Sequence, residues 1–173
     1  MDYVEMLLPE FDLEMANTRR LLERIPDDKL AWKPHAKSNS IGWNANHLAE
    51  IPGWVAGIVE QDSWDFSPVD GPHYQTPELG SVAEILAMFD GNVREARLAI
   101  KGIREETLGD NWSLLQGGLP LITMPRHLVV RLFVISHLIH HRAHLCVYLR
   151  LNDCLVPGMY GPSADEYECA KGG

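Results

Sequence analysis

Cysteine is scarce in this chain. There are three in 173 residues, Cys146, Cys154 and Cys169, an odd number with no C-x-x-C spacing. A disulfide framework and a cysteine-based zinc site are both excluded as organising principles, and a reducing, cytoplasmic setting is expected. Positive charge is short as well: 15 Lys and Arg stand against 24 Asp and Glu, a formal net charge of −9. Non-specific nucleic-acid binding needs a basic footprint, which is missing. An anionic membrane surface is disfavoured for the same reason. No apolar run reaches the roughly 18 residues that a bilayer-spanning helix requires. The opening stretch, MDYVEMLLPEF, has acids where a signal peptide carries positive charge. Several chemical signatures are also absent. There is no Gly-rich phosphate loop, no G-x-S-x-G and no H-E-x-x-H. C-x-x-C-H, the haem-attachment motif, is missing too. Neither nucleic acid nor membrane is expected as a partner, and a small-molecule substrate is.

The length suits one domain covering residues 1–173, and the apolar spacing is helical throughout. Leu8, Phe11, Met15, Thr18, Leu22 and Ile25 step by three and four, and Pro26 closes that segment. Pro9 lacks an amide, so the first turns are expected to bend or to start late. A second helix opens at Ser40, an N-cap residue type. Its stripe is Trp43, His47, Ile51, Trp54 and Ile58, with a kink expected just past His47 because Pro52 frees the Leu48 carbonyl. The third carries Val82, Ile85, Phe89, Val93, Ala96, Ile100 and Ile103, with Ser81 and Glu84 placed as a capping box. The fourth is expected to begin at Thr123, with Pro125 in its first turn, and to run to about Asn152. It is apolar nearly all round, which implies burial on two sides. Leu132, Ile135, Ile139 and Cys146 would then face a second copy of the chain, and a homodimer is expected. Residues 62–80 and 107–122 form two long connections of the kind that cross a bundle or shape a site. In the second, WSLL and LPLIT can pair as a hairpin around Gly117-Gly118. The tail from Val156 reads as irregular, packed at its start and frayed at its end.

The stretch ISHLIHHRAHLCVYLR of the fourth helix holds half of the chain's eight histidines: His137, His140, His141 and His144. With 3.6 residues per turn they lie within an arc of roughly 100°. Histidines at i and i+4 can aim two imidazoles at one ion. His137 with His141 and His140 with His144 both have that spacing. A metal within a helical bundle needs further ligands from facing helices, and His47, on the second helix's stripe, is the candidate. Three neutral imidazoles suit zinc, nickel or another borderline divalent ion, and leave a position for water or substrate. A di-iron centre is excluded, because it needs inward Glu residues and no acid occurs from Pro125 to Asn152. Glu50, three residues past His47, is a candidate base or hydrogen-bond partner. Arg142 points away and reads as structural or interfacial. His35, His73 and His127 have no spacing partner and read as surface or loop residues.

Three stretches occur in the right order to resemble the DinB superfamily of DinB/YfiT-like bundles. WKPHAKSNSIGWNANHLAEIPGW is similar to its second-helix region. HLIHHRAHLCVYLR is similar to its fourth-helix signature, and VPGMYGPSADE to the segment that follows. The resemblance implies an all-α four-helix bundle, up-down-down-up, with long connections between helices 2–3 and 3–4, usually as a homodimer. It also implies a divalent metal on His47, His137 and His141, which selects that register over His140–His144. Many members have Gly-Gln after the HHR, where this chain has Ala143-His144.

The same resemblance implies a range of activities. Relatives include S-transferases using bacillithiol, mycothiol or glutathione, and a maleylpyruvate isomerase; others look like hydrolases. The leading expectation is therefore a metal-dependent enzyme transferring a low-molecular-weight thiol to a small electrophile. Coordination would lower the thiol's pKa and yield the reactive thiolate. The alternatives are a hydrolase using metal-activated water and a non-catalytic metal-binding stress-response protein.

Overall fold

The structure, a computed structural model, describes residues 2–171, with side chains to residue 167; the Cys169 side chain lies beyond that range. Helix α1 (Tyr3–Leu22) is helical from its first residues. The late start expected from Pro9 does not occur, because the N-terminus is capped reciprocally. The Asp2 carboxylate accepts the Glu5 amide at 2.7 Å, and the Glu5 carboxylate accepts the Asp2 amide at 3.1 Å. A proline in the first turns gives up few intrahelical bonds, and this box holds the rest.

Helix α2 (Ile41–Glu50) starts where Ser40 predicts, its hydroxyl accepting the Trp43 amide at 3.0 Å. The break comes later than expected. α2 runs through Glu50, a tight turn covers Ile51–Gly53, and α3 (Trp54–Glu60) follows. Pro52 brings no amide to this turn, and Asn92 from the next long helix donates to the Ala49 carbonyl at 2.8 Å. The break therefore has a hydrogen-bond partner, and α3 leaves in a new direction with Trp54 at its start. Helix α4 (Val82–Lys101) buries Ile85, Phe89, Ala96 and Ile100, with Ser81 as N-cap.

The all-α expectation needs correcting, because the two long connections build a small sheet. β1 (Ser63–Asp65) pairs in parallel with β2 (Asn111–Gln116), which pairs antiparallel with β3 (Leu119–Pro125). Gly117 and Gly118 have φ of 59° and 77°, the backbone that a tight two-residue hairpin requires. Thr123 is thus a strand residue, hydroxyl to hydroxyl with Ser113 at 2.8 Å, and not an N-cap. The fourth helical stretch begins only at Arg126. It comprises α5 (Arg126–Val129), a π-helical segment (Val130–Ser136) and α6 (His137–Arg150). The tail ends in a further helix, α7 (Ala164–Lys171), where irregular chain was expected.

α2 packs on both α4 and α6, and α1 packs on the same two helices. Phe11, Leu48, Phe89, Leu138 and Leu145 meet in the core between them. The molecule is mostly helical, with the sheet laid beside α3. Among the described residues no helix is long and apolar enough to cross a membrane. The outer face predicted for the fourth helix is narrower than its pattern implies: Ile135 is 0% exposed within the chain, whereas Leu132 is 46% exposed.

Candidate metal centre

His47 lies in the buried face of α2, and His137 and His141 occupy successive turns at the start of α6. Because α2 and α6 pack directly, the three rings converge. One nitrogen from each lies within 4.8 Å of the others. His137 and His141 stack, with ring centroids 4.7 Å apart, as i, i+4 spacing allows. His47 meets His141 nearly edge-on at 4.6 Å and is tilted by 58° against His137 at 5.1 Å.

The outer nitrogens of His47 and His141 are already committed, which decides which of their nitrogens face inward. His47 Nδ1 meets a Glu50 carboxylate oxygen at 2.7 Å. His141 Nδ1 meets the Asn44 side-chain oxygen at 3.2 Å. Nε2 of His47 therefore points at Nε2 of His137, 3.0 Å away. An imidazole nitrogen whose partner nitrogen donates to a carboxylate is an unprotonated acceptor. The donor set thus fits a divalent ion: lone pairs converge on one point, with hydrogen bonds orienting the rings from behind. Burial is the largest effect lowering the His137 pKa to about 4, and facing His47 adds to it. Burial first, then the neighbouring histidines, lowers His141 to about 3. Both are neutral near pH 7, the form that ligates a metal.

Glu50 sits behind His47 rather than at the mouth of the cluster. Its carboxylate also accepts the Tyr74 hydroxyl at 2.5 Å. Burial and that bond push the Tyr74 hydroxyl well above its ordinary range, so it stays a donor. Asn44 and Tyr74 were not found from sequence. Asn44 offered a faint signal, one turn before His47 on the same helix. Tyr74 offered none, because a loop has no period. Trp43 stacks on His47 at 4.7 Å and closes the cluster on one side.

Two openings reach the cluster. On one side a cavity of about 560 Å³ touches His47 and His137; its walls come from α3, the sheet, Phe66, Tyr74 and Phe133. Trp112 and Leu114 line it because alternate residues of a strand share a face. Trp112 is 5% exposed, and its indole N–H has no partner among the described residues. On the other side a shallower groove runs past Leu132, Ser136, His137, His140 and His141. His140 and His144 are exposed and stand outside the convergent trio. His35 and His73 are exposed as expected. His127 is not: it is half-buried in α5, its Nδ1 bonded to the Leu108 carbonyl at 2.9 Å. Arg142 is structural, buried against Glu14 and Thr18 of α1.

Two solved structures share this fold. A DinB-like protein from Bacillus cereus ATCC 10987 superposes with a TM-score of 0.69 at 19% identity, covering 90% of this chain and 97% of its own. A DinB-like protein from Bacillus subtilis gives 0.67 at 19% identity, covering 91% and 99%. At that identity the likeness concerns the fold. No curated protein matches the chain. The family model described as the DinB superfamily matches residues 10–145, a span that includes α2, the sheet and all three convergent histidines. The chain belongs to the DinB superfamily.

Proposed function

We propose that this protein is a metal-dependent enzyme that transfers a low-molecular-weight thiol to a small electrophile. One observation carries the reading: three imidazoles converge between two separate openings, an apolar cavity and an open groove. A reaction with two substrates needs two approaches to one centre, whereas adding water needs one. His47, His137 and His141 would hold the ion, zinc or nickel by donor type. A divalent ion there supplies the Lewis acidity that deprotonates a thiol at neutral pH. The chain's own residues do the rest. Glu50 and Asn44 fix the rings of His47 and His141, and the aromatic walls exclude water. The groove beside His140 and Ser136 admits the thiol, and the cavity holds the electrophile close to it. The thiolate sulfur forms a bond to carbon, the leaving group departs with its electron pair, and the thiol proton goes to solvent. In the same reading α1, α2, α4 and α6 form an up-down-down-up bundle. The protein works in the cytoplasm as a homodimer through the side of the fourth helix carrying Leu132.

The test joins metal content to turnover. Untagged protein purified by ion exchange should carry one divalent ion per chain by elemental analysis. His137→Ala should abolish it and His73→Ala should leave it intact. Native protein, chelator-stripped protein and His141→Ala are then assayed with a panel of thiols against a chromogenic aryl halide. Turnover is expected only in the metal-loaded native protein. Equal metal in the His137 and His73 variants, or turnover indifferent to the metal, overturns the reading.

A further inference from the structure

The cavity beside the histidines has an unusual wall. None of its lining residues is Asp, Glu, Lys or Arg. The Tyr74 hydroxyl is already given to Glu50, and Gln61 is exposed at the edge. Everything else that bounds the space is apolar or aromatic. The rings meet edge to face: Trp64 and Tyr74 are 5.2 Å apart at 83°, and Trp54 and Tyr74 6.4 Å apart at 79°. Trp54 stands edge-on to His137 at 5.5 Å and 76°, so the aromatic wall runs up to the histidines. Ring faces left free in such an array favour another ring. A volume of about 560 Å³ falls in the range of sites for compact organic ligands. Away from the histidine end, a charged group buried there would meet no charged side chain and few donors, which is costly.

We infer that this cavity receives an uncharged, largely apolar ring compound, and that the electrophile of this site is a neutral aromatic. The second clause rests on the reading of the histidines as a catalytic metal centre; the first stands on the cavity alone. Carboxylates on an anionic thiol find no Lys or Arg among the cavity's lining residues, which leaves them the open groove.

Gly57 provides the means of testing this. It lines the cavity from α3, and a Cβ built there would meet nothing within 4 Å. Gly57→Leu therefore adds bulk at the cavity wall and leaves the three histidines themselves unchanged. The probe is N-phenyl-1-naphthylamine, which is neutral and accepts excitation energy from tryptophan. Its sulfonated counterpart, 8-anilinonaphthalene-1-sulfonate, has the same rings plus a negative charge. The neutral probe should bind saturably at one site per chain, about tenfold or more tighter than the sulfonate, because the buried charge is unpaired. Gly57→Leu should weaken the neutral probe about tenfold or more, by filling the space it needs, with metal content unchanged. Leu121→Trp, from the sheet side, should act in the same direction and covers the case in which the helix variant fails to fold. His141→Ala should lose metal yet keep the probe, so failure of the metal reading and failure of this one are told apart. Equal binding of both probes, no saturable binding, or indifference to both filling variants overturns the inference.

Discussion

His47 uses both of its ring nitrogens. One faces the cluster and the other meets Glu50 at 2.7 Å. A carboxylate behind a ligating imidazole fixes its tautomer and strengthens it as a donor. Glu50→Gln keeps the shape but loses the charge, and Glu50→Ala loses both. Titration against a competing chelator should show metal affinity lowered by about 10–100-fold in the alanine variant and less in the glutamine one, the range for such partners. Unchanged affinity in both would make Glu50 a mere neighbour. At this scale i, i+4 spacing on a helix, a statement about direction, left two histidine registers open, and the family resemblance selected His137–His141. The supports of the histidines were less legible. A contact such as Tyr74 to Glu50 joins a loop to a helix, and nothing in the loop's own pattern encodes it.

Among the elements, the π-helical stretch Val130–Ser136, like β1 and α7, is one that no sequence pattern announced. Its apolar residues read as an ordinary helix, because a π segment widens the turn without changing residue types. It ends where His137 begins, so the widened turns set the angle at which both histidines of α6 enter the cluster. Such a bulge behaves as one residue inserted into an α-helix. Deleting exposed Leu132 should therefore let the stretch close to a regular helix with the flanking registers kept. Deleting exposed Ala143 instead turns everything after it by ~100°, taking Leu145 and Leu149 out of the core. Circular dichroism and thermal melts should show a cooperative fold after the first deletion and its loss after the second. Loss of cooperativity after both deletions would mean that the π stretch absorbs nothing. The caps at Ser40 and Ser81 were readable because their hydroxyls act locally. Thr123 misled for the same reason: a β-branched residue before a proline suits a strand end as well as a helix start, and only pairing with Ser113 decides.

Across the whole molecule, one buried cluster ties the first helix, the last long helix and the tail together. Arg142, 2% exposed, donates to a Glu14 carboxylate oxygen at 2.5 Å, to the Glu14 carbonyl at 2.9 Å and to the Tyr160 hydroxyl at 2.7 Å. Tyr160 also donates to Glu14 at 2.9 Å. Removing one member of a buried pair strands the other's charge, so Arg142→Ala should cost about 3–5 kcal/mol in denaturant unfolding. A loss below about 1 kcal/mol would place the pair among ordinary surface bridges. This cluster joins segments more than a hundred residues apart, which is why the sequence offered Arg142 only as structural or interfacial. The convergent histidines act over a similar span. His47 and His137 are 90 residues apart in the chain, and every residue that lines the aromatic cavity falls between them or is one of them. An ion shared by those two imidazoles would be a clasp on a closed loop, and the cavity is made of nothing but that loop. Loop closure removes freedom from the unclasped chain. Such a clasp and the cavity's contents would be thermodynamically linked, and whatever one did to the other's affinity would be returned in equal measure.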